Sequence, residues 1–372
     1  MNNSNEVNWD EAIWKEINDA VVAEMGKVRT AQKVFPTTLF DTNPTEIPND
    51  VINFTGEYLN IREGLTKQFV EIYLEFPLTA TQVTKEATNK TCKTLARMAA
   101  KAIALAEDAV IFQGKNAKLN LPGTVKADSI ETAGDGLIGE ANSREDGVVE
   151  YDKIDESFKV SRPIGVKKAS SQKGQFTCEP TELKFQTTDA KSKTPLDNTF
   201  KVTERITVNH QTQPKPGVLY GENTFAAVAE GIAKLTAKAQ APKFALFLPV
   251  KAYADTFVPP SYASLVTTAE RIKPLVEGGF METVSLPENQ GLLVALAGDP
   301  TSLYVGREAT TEFVRKDGSK YFFRVVERIQ FVARDPRAFV LLDFDVSSTN
   351  EPAPDTGSNN VPPDDKAATD NG

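Results

Sequence analysis

The run Leu105-Ala106-Glu107-Asp108-Ala109-Val110-Ile111-Phe112-Gln113-Gly114 decides how the chain is read. It closes the strongest helical signal in the sequence. From Thr79 to Gln113, the residues Cys92, Leu95, Ala99, Ile103, Ala106 and Val110 recur at steps of three and four. Alanine is frequent, and Gly114 stands where a helix ends. Read as one helix of about 30 residues, it reaches roughly 45 Å at 1.5 Å per residue. That length describes a strut. Glu107 and Asp108 are adjacent and point about 100° apart, so they read as solvated or salt-bridging charges, not a proton-sharing dyad.

Upstream of the strut, Lys67-Gln68-Phe69-Val70-Glu71-Ile72-Tyr73-Leu74-Glu75-Phe76 alternates polar and apolar, the mark of a half-buried strand. With Tyr58-Leu59-Asn60-Ile61-Arg62 before it, the pattern predicts a long two-stranded arm turning at Glu63-Gly64. A lone two-stranded ribbon is marginal in water, so a projecting arm needs support from outside its own subunit. Earlier still, Asn8 to Val34 reads as an amphipathic helix capped by Asn8. Ile13, Ile17, Val21, Met25 and Val28 form its apolar stripe. That stripe either packs on its own subunit's core or offers a docking surface to another chain. Trp9 and Trp14, five apart, do not form a stacked base-reading platform.

Downstream, composition shifts. Residues 115–216 hold few Leu and Ala but much Lys, Thr, Asp and Gly. Short runs such as Gly147–Tyr151, Phe158–Val160 and Phe200–Val202 predict a small β-rich unit. Helix character resumes over Glu222–Ala239, an apolar strand follows at Phe244–Leu248, and a third helix is expected near Tyr262–Glu277. Strands at Gly291–Ala297 and Ser302–Val305 lead to a ribbon, Glu308–Arg315 with Lys320–Ala333, turning at Lys316-Asp317-Gly318-Ser319. Ala338–Phe344 is the last strand. Residues 345–372 read as a disordered acidic tail.

Composition narrows the function. The 372 residues carry 42 Lys+Arg against 51 Asp+Glu, a net charge of −9, which argues against a general phosphate-binding surface. One histidine, His210, excludes multi-imidazole metal sites and leaves no credible catalytic triad. Cys92 and Cys178 fit neither a disulfide framework nor a CxxC zinc site. No Walker sequence, dinucleotide fingerprint, nucleophile elbow or metal loop occurs. No apolar run approaches the roughly 20 residues of a membrane span, and the first residues lack the pattern of a signal peptide. These features predict a cytoplasmic protein without cofactor, metal or catalytic residues.

Taken in order, several segments resemble the encapsulins, shell proteins with the major capsid fold of tailed phages (the Hong Kong 97 type). Trp14-Lys15-Glu16-Ile17 and Ala31-Gln32-Lys33-Val34 resemble the family's N-terminal helix, and Leu105–Gly114 the end of its spine helix. Phe244–Tyr253 resembles an internal strand and helix start. Leu303–Glu308, Val325–Phe331 and Asp335–Leu342 resemble its closing strands.

The resemblance implies an α+β fold with peripheral domain, axial domain and extended E-loop, carrying a β-rich insertion. The parts are an N-terminal helix and arm (1–49), E-loop (50–77), spine (78–114), insertion (115–216), remaining peripheral and axial domains (217–344) and tail (345–372). It further implies a large homo-oligomer enclosing a cargo enzyme of the ferritin-like or peroxidase type, held by a short terminal peptide. Family positions place cargo docking on Ile17, Val21, Met25, Val34 and Leu286, and a pore loop on Pro259, Pro260, Ser261 and Tyr262. The family's flavin-binding Trp has no counterpart in Leu78-Thr79-Ala80-Thr81-Gln82, so no flavin is implied. The alternative use of the same fold is a phage capsid packaging DNA.

Overall fold

A computed structural model describes residues 7–55, 58–62, 65–117, 119, 125–142, 147–151, 163–168, 204–211, 218–259 and 265–345. The chain begins with α1 (Glu11–Val28), β1 (Thr37–Leu39), β2 (Glu46–Pro48), β3 (Val51–Thr55), β4 (Tyr58–Arg62), β5 (Thr66–Gln68) and β6 (Val70–Thr79). Helices α2 (Ala80–Thr84), α3 (Glu86–Asn89) and α4 (Thr91–Gln113) lead to β7 (Lys126–Asp128) and α5 (Gly136–Asn142). Next come β8 (Gly147–Tyr151), β9 (Pro163–Lys168), β10 (Glu204–Val208), α6 (Glu222–Ala237), β11 (Phe244–Pro249), α7 (Val250–Thr256) and α8 (Thr268–Ile272). The last strands are β12 (Gly279–Thr283), β13 (Gln290–Ala295), β14 (Thr301–Asp317), β15 (Lys320–Ala333) and β16 (Phe339–Phe344).

Two five-stranded sheets carry the core, in the orders β1-β14-β15-β6-β7 and β10-β16-β13-β11-β12. The predicted ribbon is β14 with β15, paired antiparallel down to Asp317 opposite Lys320, with Gly318 at a φ of 56° in its turn. All six residues of β11 are buried, as its unbroken apolar run requires. Phe247 of β11 meets Phe112 of α4 edge-on at 5.0 Å and stacks on Phe35 at 5.6 Å. The end of the strut is thereby fixed to the second sheet.

The strut is not one helix. Lys90 takes a left-handed φ of 52°, and the buried carboxylate of Glu86 accepts hydrogen bonds from the amides of Cys92 (2.7 Å) and Lys93 (3.0 Å). That carboxylate caps a fresh start, so α4 holds 23 residues and spans about 35 Å. The first helix is also shorter than its stripe suggests. Asp10, not Asn8, caps it by accepting from the amide of Ile13 (2.8 Å), and Ala31–Lys33 form a separate 3-10 turn.

Three further expectations change. The arm turns between Thr55 and Tyr58, because Tyr58–Arg62 pairs backwards with β3 and not forwards with the strand at Lys67; the expected turn residues Glu63-Gly64 lie outside the described residues. The described residues of 115–142 and 204–211 pack with the core elements. There β7 pairs with β6, α5 packs on α4, and β10 joins β16, so the inserted part lies between them. Within it the structure describes the antiparallel hairpin of β8 and β9. The strands expected at Phe158 and Phe200, and the tail from 346 onward, lie outside the described residues. The helix expected near Tyr262–Glu277 is α8 and a 3-10 turn at Lys273–Leu275. Thr267 and Glu270 form a capping box that starts α8.

Candidate assembly elements and a buried charge cluster

The arm is built in two steps from its root. Glu46 to Pro48 pairs with Thr66 to Gln68, and Val51 to Thr55 then pairs with Tyr58 to Arg62. Each step is two-stranded, and Ile61 and Leu65 stay exposed. The root has its own small core. Ile47, Phe69 and Val332 are buried together, with Phe40 stacked on Tyr304 at 5.9 Å. Gly306 lets the Phe69 ring lie against the β14 backbone, since a β-carbon there would sit 3.0 Å from the ring. The arm is firmly held at one end, and among the described residues its outer step has no third strand.

A second exposed apolar surface lies around α7 and α8. Phe257, Leu265, Val266 and Leu275 are exposed, Leu265 to 89%. Tyr253 packs against both Phe257 (5.0 Å) and Phe280 (4.9 Å), and the Lys273 ammonium sits 5.3 Å from the Phe257 ring centroid. Of the expected pore loop, Pro259 is half-buried beside this patch. Pro260, Ser261 and Tyr262 lie outside the described residues.

The expected docking stripe faces inward. Ile17, Val21 and Met25 are buried where α1 packs on α4 and β14, and Leu286 is buried too; Val34 is half-buried. An apolar stripe of this spacing buries itself on the nearest apolar face, and α4 of the same chain supplies one. These four buried residues therefore present no surface to a peptide in this conformation. Trp9 and Trp14 are also core residues. Their rings lie 5.0 Å apart, Trp9 stacks on Phe323 at 5.1 Å, and its indole N–H donates to the Val83 carbonyl. Trp9 precedes the helix, so helical spacing did not govern where it points.

The face that α1 and α4 leave exposed is charged. Lys90, Lys93, Arg97 and Lys101 follow one another along α4. The first two hold Glu16, while Arg97, Lys101 and Lys27 converge on Glu24. Those cations pull the Glu24 carboxyl down to about 2.

At the other end of α1 lies a buried charge cluster that includes Glu107 and Asp108, which the sequence reads as solvated or salt-bridging charges. The Arg29 guanidinium donates to Glu107 of α4 at 2.7 Å and also to Glu327 of β15. Asp108 accepts the amides of Thr30 (2.8 Å) and Ala31 (2.9 Å), and Arg29 reaches Gln32 at 3.1 Å. All three carboxylates are buried. Burial first, and each other's charge second, push Glu107 well above the usual carboxylate range. Burial raises Glu327 as well, and Asp108 is raised to about 7. The adjacent pair does diverge as helical geometry demands, Glu107 toward Arg29 and Asp108 toward the backbone. The ion pair was legible as a possibility, but its burial was not.

Residues 206–330 match the family model described as "Encapsulating protein for peroxidase". This stretch runs from β10 through most of β15 and includes α6, α7 and the apolar patch. Over this third of the chain the sequence resembles that family.

The virus-like particle from Pyrococcus furiosus shares the fold. Its identity is 14% and the TM-score is 0.55, over 90% of this chain and 100% of that one. The capsid of Myoviridae phage XM1 (9% identity, TM-score 0.47, 86% and 92% covered) and a structure described as Mycobacterium phage Bobi (11%, 0.47, 86% and 91%) are also similar in structure. Among curated proteins no sequence matches the chain. The fold is α+β of the Hong Kong 97 capsid type. No described helix is long and apolar enough to cross a membrane. The described residues hold no group of three His, Cys, Asp or Glu arranged for a metal.

Proposed function

We propose that this chain is the repeating subunit of a closed cytoplasmic shell that encloses a protein cargo. The arm carries the reading. Two paired strands beyond the root, with Ile61 and Leu65 exposed along the arm, are marginal alone, and a neighbouring copy supplies the missing support. The exposed apolar patch at Phe257, Leu265 and Val266 is a second surface suited to meeting another copy. Support for a cargo enzyme comes from the description of the family matched by residues 206–330. The net charge of −9 favours protein over nucleic acid as content.

Cargo contact in this reading cannot begin from Ile17, Val21, Met25 and Leu286 as they stand, because the core covers them. It begins at half-buried Val34, or it requires α1 to lift. Expression in the native host followed by purification of particles tests the proposal. Co-purifying protein in stoichiometric amount, with absorbance dominated by protein and not nucleic acid, is the expected result. Particles filled with DNA would assign the chain to a phage capsid instead.

A further inference from the structure

The site around Arg29 holds one guanidinium and three buried carboxylates. Arg29 comes from the segment after α1, Glu107 and Asp108 from α4, and Glu327 from β15, with Glu308 of β14 the next charge acting on Glu327. With all three ionised, buried negative charge exceeds positive, and such an excess is costly where water is excluded. Two oxygens, Glu107 Oε1 and Glu327 Oε2, also lack a donor. A proton on Glu107 answers both problems, lowering the charge and making Glu107 a donor to Glu327.

We propose that this cluster is a proton-dependent clasp that holds the N-terminal helix on α4 and loosens as pH rises. The geometry makes it the fastening point. Asp108 binds the amides of Thr30 and Ala31, and Arg29 ties the same turn to both α4 and β15. Lifting this turn frees the end of α1, beginning with Met25, whose sulfur lies 3.5 Å from an Arg29 nitrogen.

The direction follows from linkage. A carboxyl held above its ordinary range retains its proton when docked and loses it when exposed, so rising pH favours the exposed form. For Asp108 the loss accumulates between its ordinary 3.8 and about 7, and Glu107, also raised by burial, adds to it in the same direction.

The experiment is hydrogen exchange on the full chain, corrected for intrinsic rates, at intervals from about pH 5 to about pH 8. Protection of the amides of Thr30 and Ala31 falls by about tenfold per pH unit for each carboxyl that retains its proton. The double variant Glu107→Gln/Asp108→Asn flattens this slope, whereas Glu16→Gln, in a surface ion pair, retains it. Wild-type protection that does not change with pH, or an unchanged slope in the double variant, overturns the proposal. Infrared spectroscopy of the wild type gives an answer that needs no variant. A protonated-carboxyl band persists at neutral pH and disappears in strong alkali, and its absence at neutral pH contradicts the clasp. Neither readout depends on whether the chain forms a shell.

Discussion

Gly114 and Gly136 lie back to back, so that a β-carbon placed on either would fall on the backbone of the other. Both have positive φ, 60° and 72°, and the amide of Lys115 closes the turn on the Gly134 carbonyl at 2.8 Å. This contact ends α4 and brings α5 back onto it. Gly114→Ala is expected to cost at least about 1 kcal/mol from backbone conformation alone, with more from the clash. Urea unfolding measures it, and an unchanged midpoint would show that the turn relaxes freely.

Removing the cation from the buried cluster is expected to be more damaging than removing a surface one. Arg29→Met leaves Glu107 and Glu327 buried without their partner, a loss of about 3–5 kcal/mol. Lys15→Met breaks a pair whose members are 75% and 67% exposed and is expected to be nearly silent. Equal losses in thermal denaturation would contradict the burial of the cluster.

The arm root separates local order from global stability. Phe69→Ala empties the small core under β14 and is expected to weaken it by about 3–5 kcal/mol. Limited proteolysis is then expected to cut between 46 and 68 first while the two sheets stay protected. Simultaneous loss of both would show that the arm is not an independent unit.

At the apolar patch, Leu265→Asp and Val266→Asp change exposed side chains and are expected to alter subunit stability by no more than about 0.5 kcal/mol. Their effect belongs to association, lowering the yield of particles at a given concentration. A destabilised subunit would mean that the patch already packs within the chain.

Periodicity made much of this fold legible. The alternation at 67–76, the unbroken apolar run at 244–248 and the stripe leading to Gly114 each became the element their period required. What stayed hidden depended on contacts between distant parts. Only a buried Glu86 carboxylate distinguishes one strut from three helices. Only the pairing of 58–62 with 51–55 moves the arm's turn. Burial of Ile17, Val21 and Met25 needed the apolar face of α4 in place, and Glu107 reads as a surface charge until Arg29 is brought 78 residues along the chain to meet it.

The size of the purified particle as a function of concentration tests the account most directly. Mass photometry of the full chain is expected to give one large, uniform species that persists on dilution, and a chain lacking residues 49–65 is expected to give small species only. A wild-type protein that stays monomeric at every concentration, with its arm amides protected from exchange, would contradict the claim that neighbouring copies complete this subunit.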